Sequence, residues 1–200
     1  MSPITKDIIM LTLKKLITGI ALMSLTPLAV AAGGDGIYVA LDAGRSIYKN
    51  ACQDIPTKDS CSDYDFSSRF SFGKLVADFT FAEIGYYSSG KTTKKVIGNI
   101  PESIDSVEWQ ISGIRLYPIG DGRFSILGRL GIVHWEAAEA NASGRTNASG
   151  NDILVGFGGK YFLTRDTAVR LLYDSHKVGN ASITWRGNVN FISVGLTYEL

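Results

Sequence analysis

The stretch NFISVGLTYEL, residues 190–200, decides between two all-β readings of this chain. Successive side chains alternate across an extended strand, so Ile192, Val194, Leu196, Tyr198 and Leu200 share one face while Ser193 points the other way. A soluble sandwich buries such an apolar face against a second sheet, whereas a membrane barrel turns it to lipid. The other strands settle which of the two applies.

The same alternation recurs from Gly36 onward, and no segment has convincing helical periodicity. A first strand, about Gly36 to Arg45, opposes Ile37, Val39, Leu41 and Ala43 to Tyr38, Ala40, Asp42 and Gly44. A second opposes Phe66, Phe70 and Phe72 to Asp65, Ser67, Arg69 and Ser71; a third opposes Ile84 and Tyr86 to Phe81, Glu83 and Gly85. In the fourth, Val107, Trp109 and Ile111 share one parity and Ile114 and Leu116 the other, which predicts a bulge near Gly113. Strands around Phe124–Ile132, Ile153–Tyr161 and Val169–Asp174, with the terminal stretch, complete eight, an even number that lets an up-and-down meander close on itself.

Seven charged residues, Asp42, Arg69, Glu83, Arg129, Lys160, Arg170 and Asp174, share the parity opposite the apolar face. On a sandwich they would be an ordinary solvated surface. In a closed eight-stranded barrel the bore is barely wide enough for side chains, so they are expected to interdigitate as an internal charge network. Asp42, Glu83 and Asp174 are the expected partners of the four cations. Aromatics sort into two belts, Tyr86, Trp109, Trp135 and Tyr173 toward one end and Phe72, Tyr117, Phe124, Tyr161 and Tyr198 toward the other.

Connection lengths alternate too: links after strands two, four and six are short, and the others are long and polar. The predicted long loops are SIYKNACQDIPTKDSCSD, SSGKTTKKVIGNIPESID, EAAEANASGRTNASGND and SHKVGNASITWRGN. The second carries Lys91, Lys94 and Lys95, a charge run read first as a solvated loop and second as a contact for phosphates at a membrane surface. The third holds two Asn-Ala-Ser-Gly copies, at Asn141 and Asn147, read as flexible polar repeats.

Lys6, Lys14 and Lys15 precede an apolar run from Leu16 to Val30 that ends in small residues before Gly33-Gly34, a signal-peptide layout. Either Met1 or Met10 serves as a start for this leader. Residues 1–32 are thus expected to be a cleaved signal peptide and 33–200 a single domain. The chain has 20 Lys and Arg against 19 Asp and Glu; the leader removes three lysines and one aspartate, leaving a net charge near −1 and no basic field for nucleic acid. Export implies an oxidising compartment, so Cys52 and Cys61 are expected to form a disulfide. Two cysteines with the distant His134 and His176 make too few ligands for zinc, and no cofactor is expected.

The stretches GIYVALDAGRS, FAEIGYYSSG, FSILGRLGIVHWEA, VGFGGKYFLTRDTAVRLLYD and VNFISVGLTYEL occur in an order that resembles the outer membrane protein A-like family of eight-stranded barrels. The resemblance covers essentially all of 33–200 and implies an all-β, antiparallel up-and-down barrel in the bacterial outer membrane. Relatives serve as structural components, adhesins, serum-resistance factors or narrow pores, so a structural or adhesive role through the outer loops is expected, with a passive porin-like pore as the alternative. Implied partners are outer-membrane lipids and lipopolysaccharide, the barrel-assembly machinery through the C-terminal strand, and a host or cell-surface ligand, for a monomer. Two features depart from the pattern: Leu200 stands where a final aromatic is usual, and no peptidoglycan-binding domain is expected after the barrel, so cell-wall anchoring is not expected of this chain. A lipid A-modifying barrel enzyme is the remaining alternative. Against it, adjacent residues of Asp174-Ser175-His176 point to opposite faces, and the run cannot form a triad by itself unless His176 uses another hydroxyl such as Ser182. Both histidines are expected at surface or belt positions.

Overall fold

The computed structural model describes residues 36–49, 61–95, 101–141, 144–179 and 187–200. Every regular element among them is a strand. Eight long strands are β1 (Ile37–Tyr48), β2 (Tyr64–Ala77), β3 (Thr80–Lys95), β4 (Pro101–Ile119), β5 (Phe124–Asn141), β6 (Gly144–Phe162), β7 (Thr167–Val178) and β8 (Gly187–Glu199). Consecutive strands pair antiparallel, and β1 pairs with β8, so the meander closes into a barrel with no seam left open. A two-residue segment, Cys61–Ser62, adds to β3 at Lys94 and Thr93.

The face that the sequence marks as apolar points outward and has no protein covering it. Leu41, Phe70, Ile111, Ile126, Leu130, Val155, Leu171, Val194 and Leu196 are all about half exposed or more. Such a continuous apolar girdle is stable only in lipid. The short turns lie at one end, around Asp78-Phe79, Gly120–Arg123 and Leu163–Asp166. Gly120 and Gly122 adopt positive φ there, a conformation that glycine takes without a Cβ clash.

Three expectations change. No bulge occurs at Gly113: the register of β4 against both neighbours runs unbroken through it. Ile114 and Leu116 instead point into the bore, buried with Tyr38, Ala40, Phe81, Leu127 and Leu172 as an apolar layer near the short-turn end. Irregularities fall elsewhere, between Leu75 and Ala77 and between Ser88 and Lys91. Second, Trp135 is not in the outer belt. It faces inward, 3% exposed, in a second apolar layer with Tyr48, Val133, Ala137, Val178 and Val189. The remaining belt residues do face outward.

Third, the predicted third loop is a hairpin. β5 and β6 stay paired from Phe124↔Tyr161 to Asn141↔Gly144, so residues 136–141 and 144–152 of EAAEANASGRTNASGND continue the ladder, with Asn147 opposite Ala138. Much of the predicted second loop is likewise strand, because β3 pairs with β4 out to Lys95↔Pro101. Small residues and threonines at these positions tolerate extended backbone, and hydrogen bonding to the neighbouring strand outweighs their weak propensity. The side chains of Lys91, Lys94 and Lys95, and the proposed Cys52–Cys61 bridge, lie outside the described residues.

Candidate functional site

The bore is where the chain concentrates its chemistry. Six of the seven predicted interior charges form a closed ring of ion pairs. Asp42 bridges Arg69 (2.9 Å) and Arg170 (2.6 Å). Glu83 bridges Arg170 (2.6 Å) and Arg129 (3.1 Å). Asp174 bridges Arg129 (2.8 Å) and Arg69, completing the circuit. All six are buried, and the ring is neutral, three guanidiniums against three carboxylates. It draws on β1, β2, β3, β5 and β7.

Neutral groups from the remaining walls add further hydrogen bonds, while Arg69 Nη2 and Asp174 Oδ1 have none among the described residues. Gln110 on β4 accepts from Arg69 and Arg129 through Oε1, and Ser112 Oγ accepts from Arg129 Nε at 2.9 Å. Tyr38 donates to Glu83 Oε2 at 2.7 Å. The Arg69 guanidinium lies 5.4 Å from the centre of the buried Phe191 ring. This density of charge-assisted bonds offsets the cost of desolvating six ions, which isolated pairs rarely achieve.

Glycines make the ring geometrically possible. Gly156 stands directly opposite Asp174 and Gly195 opposite Asp42. A Cβ at either glycine would collide with the Oδ1 of the facing aspartate. Gly73 gives way in the same manner to the Tyr38 ring.

Lys160, the seventh predicted charge, does not join the ring. It sits nearer the short-turn end, pairs with Glu199 at 3.3 Å, and is caged by Phe162, Tyr38 and Phe81 at 4.6, 5.4 and 5.7 Å. Its partner is thus a residue of the terminal strand, not Asp42, Glu83 or Asp174. His176 also differs from expectation: it is 4% exposed inside the bore, with Nε2 2.9 Å from Glu108 Oε1. Gln110 Nε2 donates to the other Glu108 oxygen at 3.1 Å, so this second pair is tied to the ring. Parity alone would have found His176, because it shares the alternation of Arg170 and Asp174. Beyond it, Ser46, Ser67, Ser89, Ser106, Tyr48 and Tyr87 form a layer of hydroxyl contacts.

From one end to the other, then, the bore holds an apolar layer, the ion-pair ring, a polar layer with His176 and Glu108, and the apolar layer around Trp135. Beside the ring, the space lined by Tyr38, Phe81, Leu127, Lys160 and Arg170 measures about 10 Å³, at the lower limit for one water. Asp174 and His176 do not meet, since His176 pairs with Glu108, and Ser175 faces away and donates to Asn190 Oδ1 at 2.8 Å. Ser182 lies outside the described residues. No cluster of three metal-ligating side chains occurs among the described residues.

An eight-stranded closed barrel with a lipid-facing apolar girdle, aromatic belts and a charged interior is a transmembrane β-barrel of the bacterial outer membrane. The chain belongs to the OmpA-like transmembrane domain family, whose sequence profile matches residues 32–200. Its fold is similar to Neisserial surface protein A, at 14% identity and a TM-score of 0.62, over 84% of this chain and 99% of that one. The N-terminal β-barrel domain of Pseudomonas aeruginosa OprF is similar at 13% identity and a TM-score of 0.53, over 82% and 99%. Ail, the attachment invasion locus protein of Yersinia pestis, is similar at 12% identity and a TM-score of 0.52, over 83% and 99%. No curated protein matches the sequence significantly.

Proposed function

We propose that this protein is a sealed surface scaffold: a structural outer-membrane barrel that presents its outer hairpins for adhesion or other contacts and passes no solute. The observation that carries this reading is the layered bore, in which a closed ion-pair ring is packed between two apolar layers. A passive pore needs a continuous wet path, and the residues that would line it are spent on one another. The β5–β6 hairpin supports the presentation role. Its ladder runs to Asn141↔Gly144, while β7 pairs with β6 only as far as Val155↔Ser175, so the hairpin extends beyond its neighbour. The names of Neisserial surface protein A and the attachment invasion locus protein fit a surface role for relatives of the same fold.

No reaction is assigned, because Asp174, Ser175 and His176 are committed to separate partners. The partners proposed with this reading are outer-membrane lipids and lipopolysaccharide, the barrel-assembly machinery acting on β8, and a surface ligand at the hairpins, for a monomer. Deleting Glu139, Ala140, Arg145 and Thr146 removes two register pairs from the hairpin tip without touching the membrane-spanning ladder. Cells displaying the shortened protein should bind host cells or matrix less than cells displaying the wild type at equal surface level. Equal binding, together with steady single-channel conductance of the wild type, would replace the scaffold by the pore.

A further inference from the structure

We propose that the short-turn mouth of the bore is a docking cup for a short apolar peptide, with Asp78 holding its amino end and Arg165 its carboxylate. The cup lies at the end opposite the hairpins and does not depend on what they bind. In an outer-membrane barrel the short turns face the periplasm, so the cup opens there. Its volume is about 870 Å³, within the range of small-ligand sites. Phe81 and Leu116, which belong to the apolar layer beneath, form its floor together with Phe162. The cup is therefore blind, and a ligand seated in it leaves the sealed bore as it is.

Water reaches the mouth of a barrel, yet the walls of this one are apolar. Leu75, Phe79 and Leu163 line the cup and are each two-fifths exposed or more. Leu75 shares the inward parity of Arg69 and Ser71, so lipid does not select it. Phe79 stands at φ 54°, a left-handed backbone that strains a bulky residue and that glycine takes freely. The chain thus holds an exposed phenyl at the lip of the cup against its backbone preference, as chains do where the side chain has a use.

Five charged residues line the cup. Glu199 pairs with Lys160, and Asp121 lies 3.7 Å from Arg123. Asp78 and Arg165 make no ion pair among the described residues. Asp78 belongs to the β2–β3 turn and Arg165 to the β6–β7 turn, four strands apart in a ring of eight, so they stand across the mouth from each other. Eight strands about 4.8 Å apart and tilted about 40° make a ring roughly 16 Å across. What the two side chains leave of that width is spanned by about two to four extended residues, at about 3.3 Å each.

The placement of charge selects the ligand. A zwitterionic phospholipid carries both of its charges in one headgroup, whereas here an anion and a cation stand at opposite rims with apolar surface between them. A free peptide of apolar residues has that distribution: an ammonium at one end, a carboxylate at the other and hydrocarbon between. The guanidinium fork matches a carboxylate bidentately, and an ammonium donates to either oxygen of Asp78.

The test uses the full-length protein refolded into phosphatidylcholine nanodiscs, which keep detergent out of the mouth, with folding of each variant checked by heat-dependent gel mobility. The probe is the tripeptide Leu-Phe-Leu, titrated calorimetrically with free ends and again with acetylated and amidated ends. The wild type should bind the free peptide, and D78N/R165Q should weaken that binding about fourfold, the product of two exposed ion pairs each worth a factor of about two. The blocked peptide should bind the wild type and the double variant alike, and K177Q, at the opposite end, should bind the free peptide as the wild type does. F79G should weaken the binding of both peptides. No binding of the free peptide by the wild type, equal binding by D78N/R165Q, or equal affinity for free and blocked peptide overturns the proposal; undiminished binding by F79G removes the phenyl from the site. If the double variant does not fold, D78N and R165Q carry the test singly, and unchanged affinity in both overturns the proposal.

Discussion

Glu83 shows how a single side chain depends on the ring around it. Its carboxylate faces two guanidiniums, Arg170 at 2.6 Å and Arg129 at 3.1 Å, and accepts from Tyr38. Glu83→Ala leaves one positive charge in excess in a bore where the ring is buried. Refolding titrations should show a loss of about 3–5 kcal/mol, the range for breaking one partner of a buried pair. Combining it with Arg129→Met should recover part of that loss, since the ring is again neutral; strict additivity of the two changes would contradict the pairing. Gly156 makes a second case at the same scale. Its missing Cβ is the space occupied by Asp174 Oδ1, and Asp174 is held from the other side by Arg69 and Arg129. Gly156→Ala should cost about 1–3 kcal/mol by overpacking, whereas Gly128→Ala, which meets nothing within 4 Å, should change stability by less than about 0.5 kcal/mol. Equal effects of the two would remove the glycine from its proposed role.

At the scale of the strand, alternation was legible wherever lipid does the selecting. A residue facing hydrocarbon must be apolar, so β1, β2 and β8 declare their outward side without ambiguity. The inner side obeys a weaker rule, because a sealed bore accepts charges, hydroxyls or hydrocarbon provided that each is packed and paired. That is why Ile114 and Leu116 suggested a bulge, and why Trp135 suggested a belt position: both readings assumed that an apolar side chain must face lipid. Loops failed for a different reason. Ala, Ser, Gly and Asn between residues 136 and 152 carry little strand propensity, and only pairing with a neighbour makes them a hairpin. The clearest test of the strand assignment sets adjacent residues of β8 against each other. Val194 is 57% exposed and Ser193 2%. Val194→Arg should cost about 2–4 kcal/mol near the bilayer midplane. Ser193→Arg meets a filled interior and should prevent native gel mobility altogether. A Val194→Arg barrel as stable as the wild type would contradict the lipid-facing assignment.

For the whole molecule, the outward and inward faces make opposite demands that only a membrane satisfies together. Outward, a belt of exposed Leu, Ile, Val and Phe has no protein partner, so the chain should fold only with detergent or lipid present, and the unboiled form should migrate faster than the boiled one. Inward, five of the eight strands contribute to the ring and a sixth supports it through Gln110, so opening a path along the axis means parting several charge-assisted bonds at once. The parity of Asp42, Arg69, Glu83, Arg129, Arg170 and Asp174 made those six charges readable from the chain. Their closure into a ring was not, because it depends on strand stagger, which places β7 residues against β1, β2 and β3 across the bore. Conductance separates the alternatives at this scale. The wild-type barrel in planar bilayers should show no steady current, because the ring together with the apolar layers around Leu116 and around Trp135 leaves no continuous water column. Removing both the ring and one layer, as in Glu83→Ala with Trp135→Ala, should produce measurable current in barrels that still show native gel mobility. Steady current in the wild type, unchanged by those two substitutions, would mean that water passes where these layers stand.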